Sequence, residues 1–517
     1  MFDRMKKAVC AALLTAFAVA LAGCGAGGDA PEADGKKMNI SVFAWNIEGM
    51  GTDPEAPVYQ ALSEKFHVDF TPITATQSQW KEKLNLLFSS NDLPDLFMSP
   101  GFETVQFEKW AQEGFLLPMS DYAGQYKNIS AVLQQYDNLT KNMFDGKQYG
   151  LPVKNGEGNE EGTICNHTLW IRKDWLNALG LQAPTTTEEL YAVAKAFATQ
   201  DPDGNGVQDT YGYSSNGTWW LYPVMNMFDA SYYNFAMKDG KYQPECLSDN
   251  MKAAVAYLHT MFQEGILDPD FVVNTEDQIF EKFITGKVGM FYNGVGKTYN
   301  KIYDKFKSAY PDKDPKDMFT FCEVIEGPGG VRRIDGKDAY YCITCINNSI
   351  SEKKRDKILE ILEYLLSEEG RTLTHYGIEN EHYKKENGEI VNILPTNADG
   401  TQQQIIDIDS TAQMRILVDW TAPADSDVPN REEYLASMES PRTYAKTDPL
   451  RYLKLDESVF STADKKTLGD MTLQAVTNMI MSKNHTIDSE FEKYKTNWLS
   501  TKGELYISEI NRLAGVK

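Results

Sequence analysis

Apolar positions along this chain recur with two different periods, and segments of the two kinds alternate. Met38 to Trp45 places apolar residues at Met38, Ile40, Val42 and Ala44, the every-second-residue pattern of a strand, before a turn at Gly49 and Gly51. Pro57 to Phe66 has helical spacing, and His67 to Phe70 reads as a short strand. Ser78 to Ser90 sets Trp80, Leu84, Leu87 and Phe88 on one helical face. Asp95 to Met98 predicts a third strand, and Phe102 to Glu113 a helix closed by Gly114. Such alternation predicts an α/β fold with right-handed crossovers and a parallel sheet. Ligands of parallel sheets gather at the carboxyl ends of the strands, which directs attention to Trp45, Asn46, Glu48 and Ser99.

The middle of the chain is more helical. Thr186 with Glu189 forms a capping-box start, followed by the apolar stripe Leu190, Val193, Ala194 and Phe197. Met251 to Glu264 predicts a helix facing inward through Val255, Leu258 and Phe262, with Gly265 closing it. Lys287 to Asn293 and Ala339 to Ile346 read as strands, and Lys354 to Ser367 as a helix before Gly370. Helical patterns return at Leu473 to Met481 and Glu490 to Leu499.

The first residues follow another logic. Arg4, Lys6 and Lys7 precede an apolar run from Ala8 to Ala20, too short to span a bilayer and typical of a secretory signal. It ends in Leu21-Ala22-Gly23-Cys24, which resembles the lipobox of bacterial lipoproteins, with Cys24 as the lipidated residue. Residues 25–37 are rich in Gly, Ala, Asp and Pro without an apolar period, a tether in composition. The expectation is an extracytoplasmic protein held on the cell membrane by lipid on Cys24, with a signal at 1–23 and a tether at 24–37.

Composition narrows the choice of partner. A formal charge of -23 argues against nucleic acid, since phosphate binding needs concentrated basic surface. Removing Cys10 with the signal and Cys24 with the lipid leaves five of seven cysteines, an odd number that disfavours a complete disulfide framework. Cys342 and Cys345 are spaced C-x-x-C inside a strand pattern, where residues three apart face opposite sides. Redox pairs use a helix N-terminus instead, so buried structural thiols are expected.

Several segments together resemble family 1 extracellular solute-binding proteins, and within them the lipoprotein branch of oligosaccharide receptors that includes alginate-binding proteins. They are Leu169-Trp170-Ile171-Arg172-Lys173-Asp174-Trp175-Leu176 with Leu179-Gly180-Leu181, and Pro184-Thr185-Thr186 opening a helix. Phe283 with Gly286-Lys287-Val288-Gly289-Met290 comes next, then Glu326-Gly327-Pro328. Glu368-Glu369-Gly370 and Tyr376-Gly377-Ile378-Glu379 with His382-Tyr383 complete the set. The resemblance implies a monomeric two-lobed clamp with a ligand cleft between lobes, delivering its ligand to an ABC permease. By analogy lobe one holds 38–150 plus 325–375, and lobe two 151–324 plus 376–517.

Asp201-Pro202-Asp203-Gly204-Asn205-Gly206-Val207-Gln208-Asp209 matches the first part of an EF-hand loop, with oxygen side chains at positions 1, 3, 5 and 9 and Gly at 6. Asp201, Asp203, Asn205 and Asp209 would supply side chains and Val207 its carbonyl. Gly212 stands where the bidentate Glu of position 12 belongs. The alginate-binding relatives carry a similar loop, which implies a structural calcium ion, Ca2+. The competing reading is a plain polar turn.

Sugars are held by aromatic faces, with polar side chains taking their hydroxyls. Trp219-Trp220-Leu221-Tyr222 lies in a Gly/Ser/Asn-rich stretch rather than on a helical stripe, which suits ligand contact better than burial. Trp45, Tyr292 and Asn293 end strands, and Tyr376 and Trp420 complete the candidate set. Trp80, Trp170 and Trp175 fall at core positions. A hydrolase or lyase with paired carboxylates is the alternative, as is a receptor for peptides or other solutes. The chain carries no G-x-S-x-G, H-E-x-x-H or P-loop, and its six histidines are scattered, so no catalytic set is expected.

Overall fold

The computed structural model describes residues 36–516 except 46, 77–78, 101–104, 136–143, 155–162, 339, 387, 397–401, 420–430, 449, 451–452, 454, 457 and 484–485. The signal, Cys10, Cys24 and most of the tether lie outside the described residues, as do Asn46 and Trp420. In chain order the strands are β1 (Met38–Trp45), β2 (Val68–Ala75), β3 (Leu96–Ser99), β4 (Leu151–Lys154), β5 (Thr163–Ile164) and β6 (His167–Arg172). There follow the hairpin β7 (Phe235–Lys238) and β8 (Lys241–Pro244), then β9 (Met290–Gly294), β10 (Phe319–Cys322), β11 (Ile334–Asp335), β12 (Lys337–Asp338) and β13 (Tyr340–Ile346). A second hairpin, β14 (Tyr383–Glu386) with β15 (Glu389–Asn392), and β16 (Ala445–Lys446) complete the set.

Two lobes form around two sheets. The first sheet has the order β2-β1-β3-β13-β4. β1 pairs in parallel with β2 from Met38↔Val68 to Trp45↔Ala75 and with β3 at Val42↔Leu96, as the local strand–helix alternation predicts. β13 alone departs from the all-parallel expectation: it runs antiparallel to β3 (Ile346↔Leu96) and to β4 (Thr344↔Leu151), so β4 keeps the sense of β1 to β3. The crossover rule applies to strands joined by a local helix, whereas β13 enters this sheet after the whole of the second sheet has been built. That second sheet, β10-β6-β9, is antiparallel throughout. Its centre strand alternates: Leu169 and Ile171 enter one core and Trp170 another, against Phe291, Phe319 and Phe321.

The recurring motif around Trp170 is framework. Arg172 is buried, grips Asp174 through Nε at 2.7 Å and Nη2 at 2.6 Å, donates to the Phe283 carbonyl at 2.9 Å and lies over the Trp175 ring. Gly289 is required by close packing, since a Cβ there would lie 2.2 Å from the Phe197 ring. The helix Thr187–Thr199 starts where predicted, with Thr186 Oγ1 accepting from Glu189 N at 3.2 Å. The Glu189 carboxylate returns to Thr185 N rather than to Thr186 N.

Three connections join the lobes: β4 to β6, β10 to β13, and Asp419 to the helix Arg431–Tyr444. Their described residues pair with one another. β5 pairs with β12 (Ile164↔Lys337), β11 with β16 (Ile334↔Ala445), and Lys154 N donates to the Val418 carbonyl at 3.3 Å. The division of buried residues differs from the boundaries drawn from the sequence. Ile405, Ala412, Met414 and Ile416 to Val418 pack in the first core, although 376–517 was assigned to lobe two. Ile325 and Ile334 pack in the second core, although the sequence places 325–375 in lobe one. The reason is that residues 405–418 form only short helical turns, whose apolar side chains carry no period that assigns them to either lobe.

All five cysteines among the described residues are free and buried, Cys342 and Cys345 included. Among the described residues no helix is long and apolar enough to cross a membrane.

Candidate functional site

A group of aromatics, two of them half-buried tryptophans, gathers at the start of β6 in the second lobe. Trp219 and Trp220 lie on the short turn Thr218–Leu221, half-buried, with rings edge to face at 5.1 Å. Trp219 also meets the Tyr222 ring at 5.2 Å, and Trp220 meets His167 at 5.0 Å. His167 Nδ1 is 2.6 Å from the Tyr222 hydroxyl. The Gly/Ser/Asn-rich stretch before them is tied down: Gly217 N donates to the Phe271 carbonyl at 2.7 Å, and Tyr232 Oη to the Thr218 carbonyl at 3.0 Å. The tryptophan pair is thus fixed in place with part of its surface open, an arrangement suited to stacking on an apolar ligand face.

Other candidates are placed differently. Tyr222 and Tyr292 are buried, and burial holds both phenols well above their ordinary pKa. Tyr292 sits opposite Leu169 in the second core. Asn293, its neighbour on the strand, faces the opposite side of the sheet. There its Oδ1 accepts from Gly294 N at 2.7 Å and its carbonyl from Trp170 Nε1 at 3.3 Å. Trp45 ends β1 as expected but has no exposed surface, packed against Trp80 at 5.3 Å and Tyr341 at 5.7 Å. Tyr376 ends the helix Glu368–Tyr376 and packs on Tyr383 at 5.9 Å. The structure therefore brings together Trp219, Trp220 and Tyr222 and leaves Trp45, Asn293 and Tyr376 apart from them.

Two residues escaped sequence reasoning. His167 is one of six scattered histidines, and only its place at the head of the apolar strand β6, in register with Gly294, marks it. Tyr341 is 38% exposed at the start of β13, beside Trp45 and at the carboxyl edge of the parallel strands. Burial and the charge of Lys337 lower His167 to about 3, and burial pushes the Cys165 thiol up to about 11. The His167 ring and the Cys165 thiol are therefore both uncharged at neutral pH.

The acidic loop turns inward on itself. Asp201, at φ +49°, accepts from the backbone N–H of Asn205 at 3.1 Å and of Gly206 at 2.9 Å. Asn205 Nδ2 donates to Asp203 Oδ2 at 2.8 Å and Asp209 Oδ1 at 3.3 Å, and the Lys287 ammonium pairs with Asp209. Burial and Asp201 raise the Asp203 pKa. Amide and ammonium donors thus occupy the space between the carboxylates, where a cation would fit. Val207 has its carbonyl taken by Asp209 N at 3.1 Å. Gly212 leaves position 12 empty of any side chain because a Cβ there would lie 2.0 Å from the Ala194 carbonyl. As placed, no group of three or more His, Cys, Asp or Glu among the described residues is arranged to hold a metal ion. The donor set fits calcium in chemistry, and ligation requires Asn205 and Asp209 to release their present partners.

Known proteins share both sequence and fold. LipO, a lipoprotein of Bacillus subtilis, is 25% identical over 403 residues, 76% of this chain and 77% of its own. The polygalacturonan/rhamnogalacturonan-binding protein YtcQ of the same organism is 24% identical over 506 residues, 96% of each chain. FusA, a fructooligosaccharide ABC transporter substrate-binding protein of Streptococcus pneumoniae, is 30% identical over 348 residues, 63% of this chain and 62% of its own. Among solved structures, an HMO-binding, ABC-transporter-associated solute-binding protein of Bifidobacterium longum infantis superposes with a TM-score of 0.69 at 19% identity, covering 92% of this chain and 98% of that one. An EF-hand mutant of FusA in complex with fructo-nystose gives 0.60 at 18% identity, covering 92% and 99%. Residues 49–372 match the family described as bacterial extracellular solute-binding protein. That match spans more than half of the chain and takes in the second sheet, every strand of the first but β1, and two of the three connections, so the protein belongs to the bacterial extracellular solute-binding protein family.

Proposed function

We propose that this protein is a lipid-anchored, monomeric receptor that binds an oligosaccharide between its lobes and delivers it to an ABC importer. The observation that carries this reading is the fixed, half-open pair Trp219 and Trp220 beside the connecting strands, supported by the ligands named for FusA and YtcQ. Trp219 and Trp220 take the ligand's apolar faces, Tyr341 faces it from the first lobe, and Tyr222, Tyr292 and Trp45 form the walls behind. Asn293, Tyr376 and Trp420 remain candidates at the edge. Ligand bridging both lobes stabilises the closed form by its greater affinity for that form. No covalent step is required, and the chain acts as a binding protein rather than an enzyme.

Cys24 carries the anchor, supported by the Leu21-Ala22-Gly23-Cys24 motif and by the lipoprotein LipO among the relatives. Calcium is held by Asp201, Asp203, Asn205 and Asp209 with Val207, and its part is to staple the loop; the EF-hand named in the FusA variant supports this. The test is a thermal-shift screen of residues 38–517 in calcium buffer against plant, host and algal oligosaccharides. A midpoint raised by one glycan class, with the glycan recovered unchanged, establishes the receptor. No shift with any sugar moves the ligand to peptides or other solutes, and consumption of the glycan makes the protein an enzyme.

A further inference from the structure

His167 opens β6 on the face that carries Leu169 and Ile171 into the second core, yet it is only half-buried. Its ring lies 5.0 Å from that of Trp220, one of the two tryptophans left partly open. On the other side Nδ1 sits 2.6 Å from the hydroxyl of the buried Tyr222. A phenol is a stronger proton donor than a neutral imidazole, and the imidazole lone pair is the stronger acceptor, so the Tyr222 O–H donates to Nδ1. The ring hydrogen is then on Nε2, which has no hydrogen-bond partner among the described residues. A fixed donor is thereby set beside an aromatic face, the pairing that a sugar ring with its equatorial hydroxyls requires.

We infer, resting on the carbohydrate reading above, that His167 is a ligand-binding residue whose Nε2–H donates to an oxygen of a neutral saccharide stacked on Trp220. Tyr222 is its positioning residue, holding the ring in one tautomer. The other groups around it are Cys165, whose thiol stays protonated, Lys337 and Asp335. Because burial keeps the imidazole neutral, it offers a hydroxyl a hydrogen bond but offers a carboxylate no charge. The ligand class it selects is an uncharged oligosaccharide rather than a polyuronate.

The experiment is calorimetric titration of the full chain, purified in detergent, at pH 5, 6, 7 and 8. The probes are neutral fructo-, xylo- and galacto-oligosaccharides, with oligogalacturonate as the charged counterpart. A neutral probe is expected to bind the wild type with an affinity that does not change over this range. His167→Ala is expected to lose about tenfold, the size of one net hydrogen bond, and His167→Gln, which keeps an N–H donor, to recover most of it. Tyr222→Phe keeps the fold and the ring, and nitrogen NMR is expected to show one histidine tautomer in the wild type becoming a mixture in the variant. Wild-type affinity in a His167→Ala protein that retains its circular dichroism overturns the inference, as does a single tautomer in Tyr222→Phe. Tighter binding of oligogalacturonate than of every neutral probe overturns the ligand class. Absence of binding by the wild type to all probes instead overturns the carbohydrate reading on which the inference rests.

Discussion

Asp409 caps a helix whose first N–H donor lies 351 residues earlier in the chain: its Oδ2 accepts from the backbone N–H of Val58 at 2.7 Å and from that of Tyr59 at 3.0 Å. The helix Pro57–Phe66 has Ala56 at its N-cap and no local side chain to satisfy its first donors. The carboxylate also meets the positive end of the helix dipole, and it is buried, so water does not substitute for it. Asp409→Ala is therefore expected to destabilise the protein by about 2 kcal/mol, at the upper end for a lost cap. Asp409→Asn is expected to recover part of that. Urea unfolding monitored by tryptophan fluorescence checks both.

Arg333 is buried among three carboxylates: Glu245 on both oxygens, Asp229 at 3.0 Å and Asp335 at 2.9 Å. Burial pushes Glu245 up to about 7 despite Arg333, so the native state holds this proton more tightly than the unfolded chain. The stability it contributes is complete below its ordinary value of 4.5 and is lost as pH rises through about 7. Glu245→Gln cannot ionise and is expected to flatten the fall in stability between about pH 5 and 8. Unfolding midpoints at several pH values measure this.

Calcium at about a hundred times its dissociation constant is expected to stabilise the protein by about 2.7 kcal/mol, read as a higher melting midpoint relative to chelator. Asp203→Asn, which removes a ligand charge, is expected to abolish the difference. Lys287 competes with the ion for Asp209, so Lys287→Gln is expected to tighten calcium binding. An unchanged midpoint with calcium in the wild type would remove the ion from the loop.

Trp219→Ala and Trp220→Ala are each expected to weaken saccharide binding about tenfold while leaving the melting midpoint nearly unchanged, because both side chains are part-exposed. Trp170→Ala is expected to do the reverse. Its ring is fully buried between Phe291, Phe319 and Phe321, and its loss costs about 3–5 kcal/mol of stability. Calorimetry and thermal melting on the three variants separate the two roles.

The elements whose pattern is local were legible in the sequence. The helix Pro57–Phe66 has the predicted limits, and the Thr186 cap and the strand Tyr340–Ile346 are close to those predicted. Strand direction was not legible, since β13 joins β3 by returning from another lobe and no local rule fixes its sense. Nor was the burial of Trp45, which depends on Trp80 and Tyr341 arriving from elsewhere. Tyr292 and Asn293 were grouped as strand-end residues, yet adjacency on a strand sends their side chains to opposite faces. The partial exposure of the tryptophan pair was legible because bulky neighbours in a polar loop contradict core spacing. His167 was missed because a lone histidine leading an apolar strand has no pattern to contradict.

The place of β13 in the first sheet governs the order in which this protein can acquire its shape. β13 lies between β3 and β4 and pairs with both, yet residues 155–339 separate it from β4 in the chain. Until those residues have emerged, β3 and β4 have no strand between them, and Asp409 follows later still. Closure of so long a loop is slow and is rewarded only at the end. The amino-terminal lobe thus stays unfinished until residues 405–418 arrive, and although the second sheet closes within residues 167–322, its core is completed later still by Phe460, Val476, Trp498 and Ile510. Neither core can close early, so β3 and β4 remain without their shared partner for as long as most of the chain is still being made.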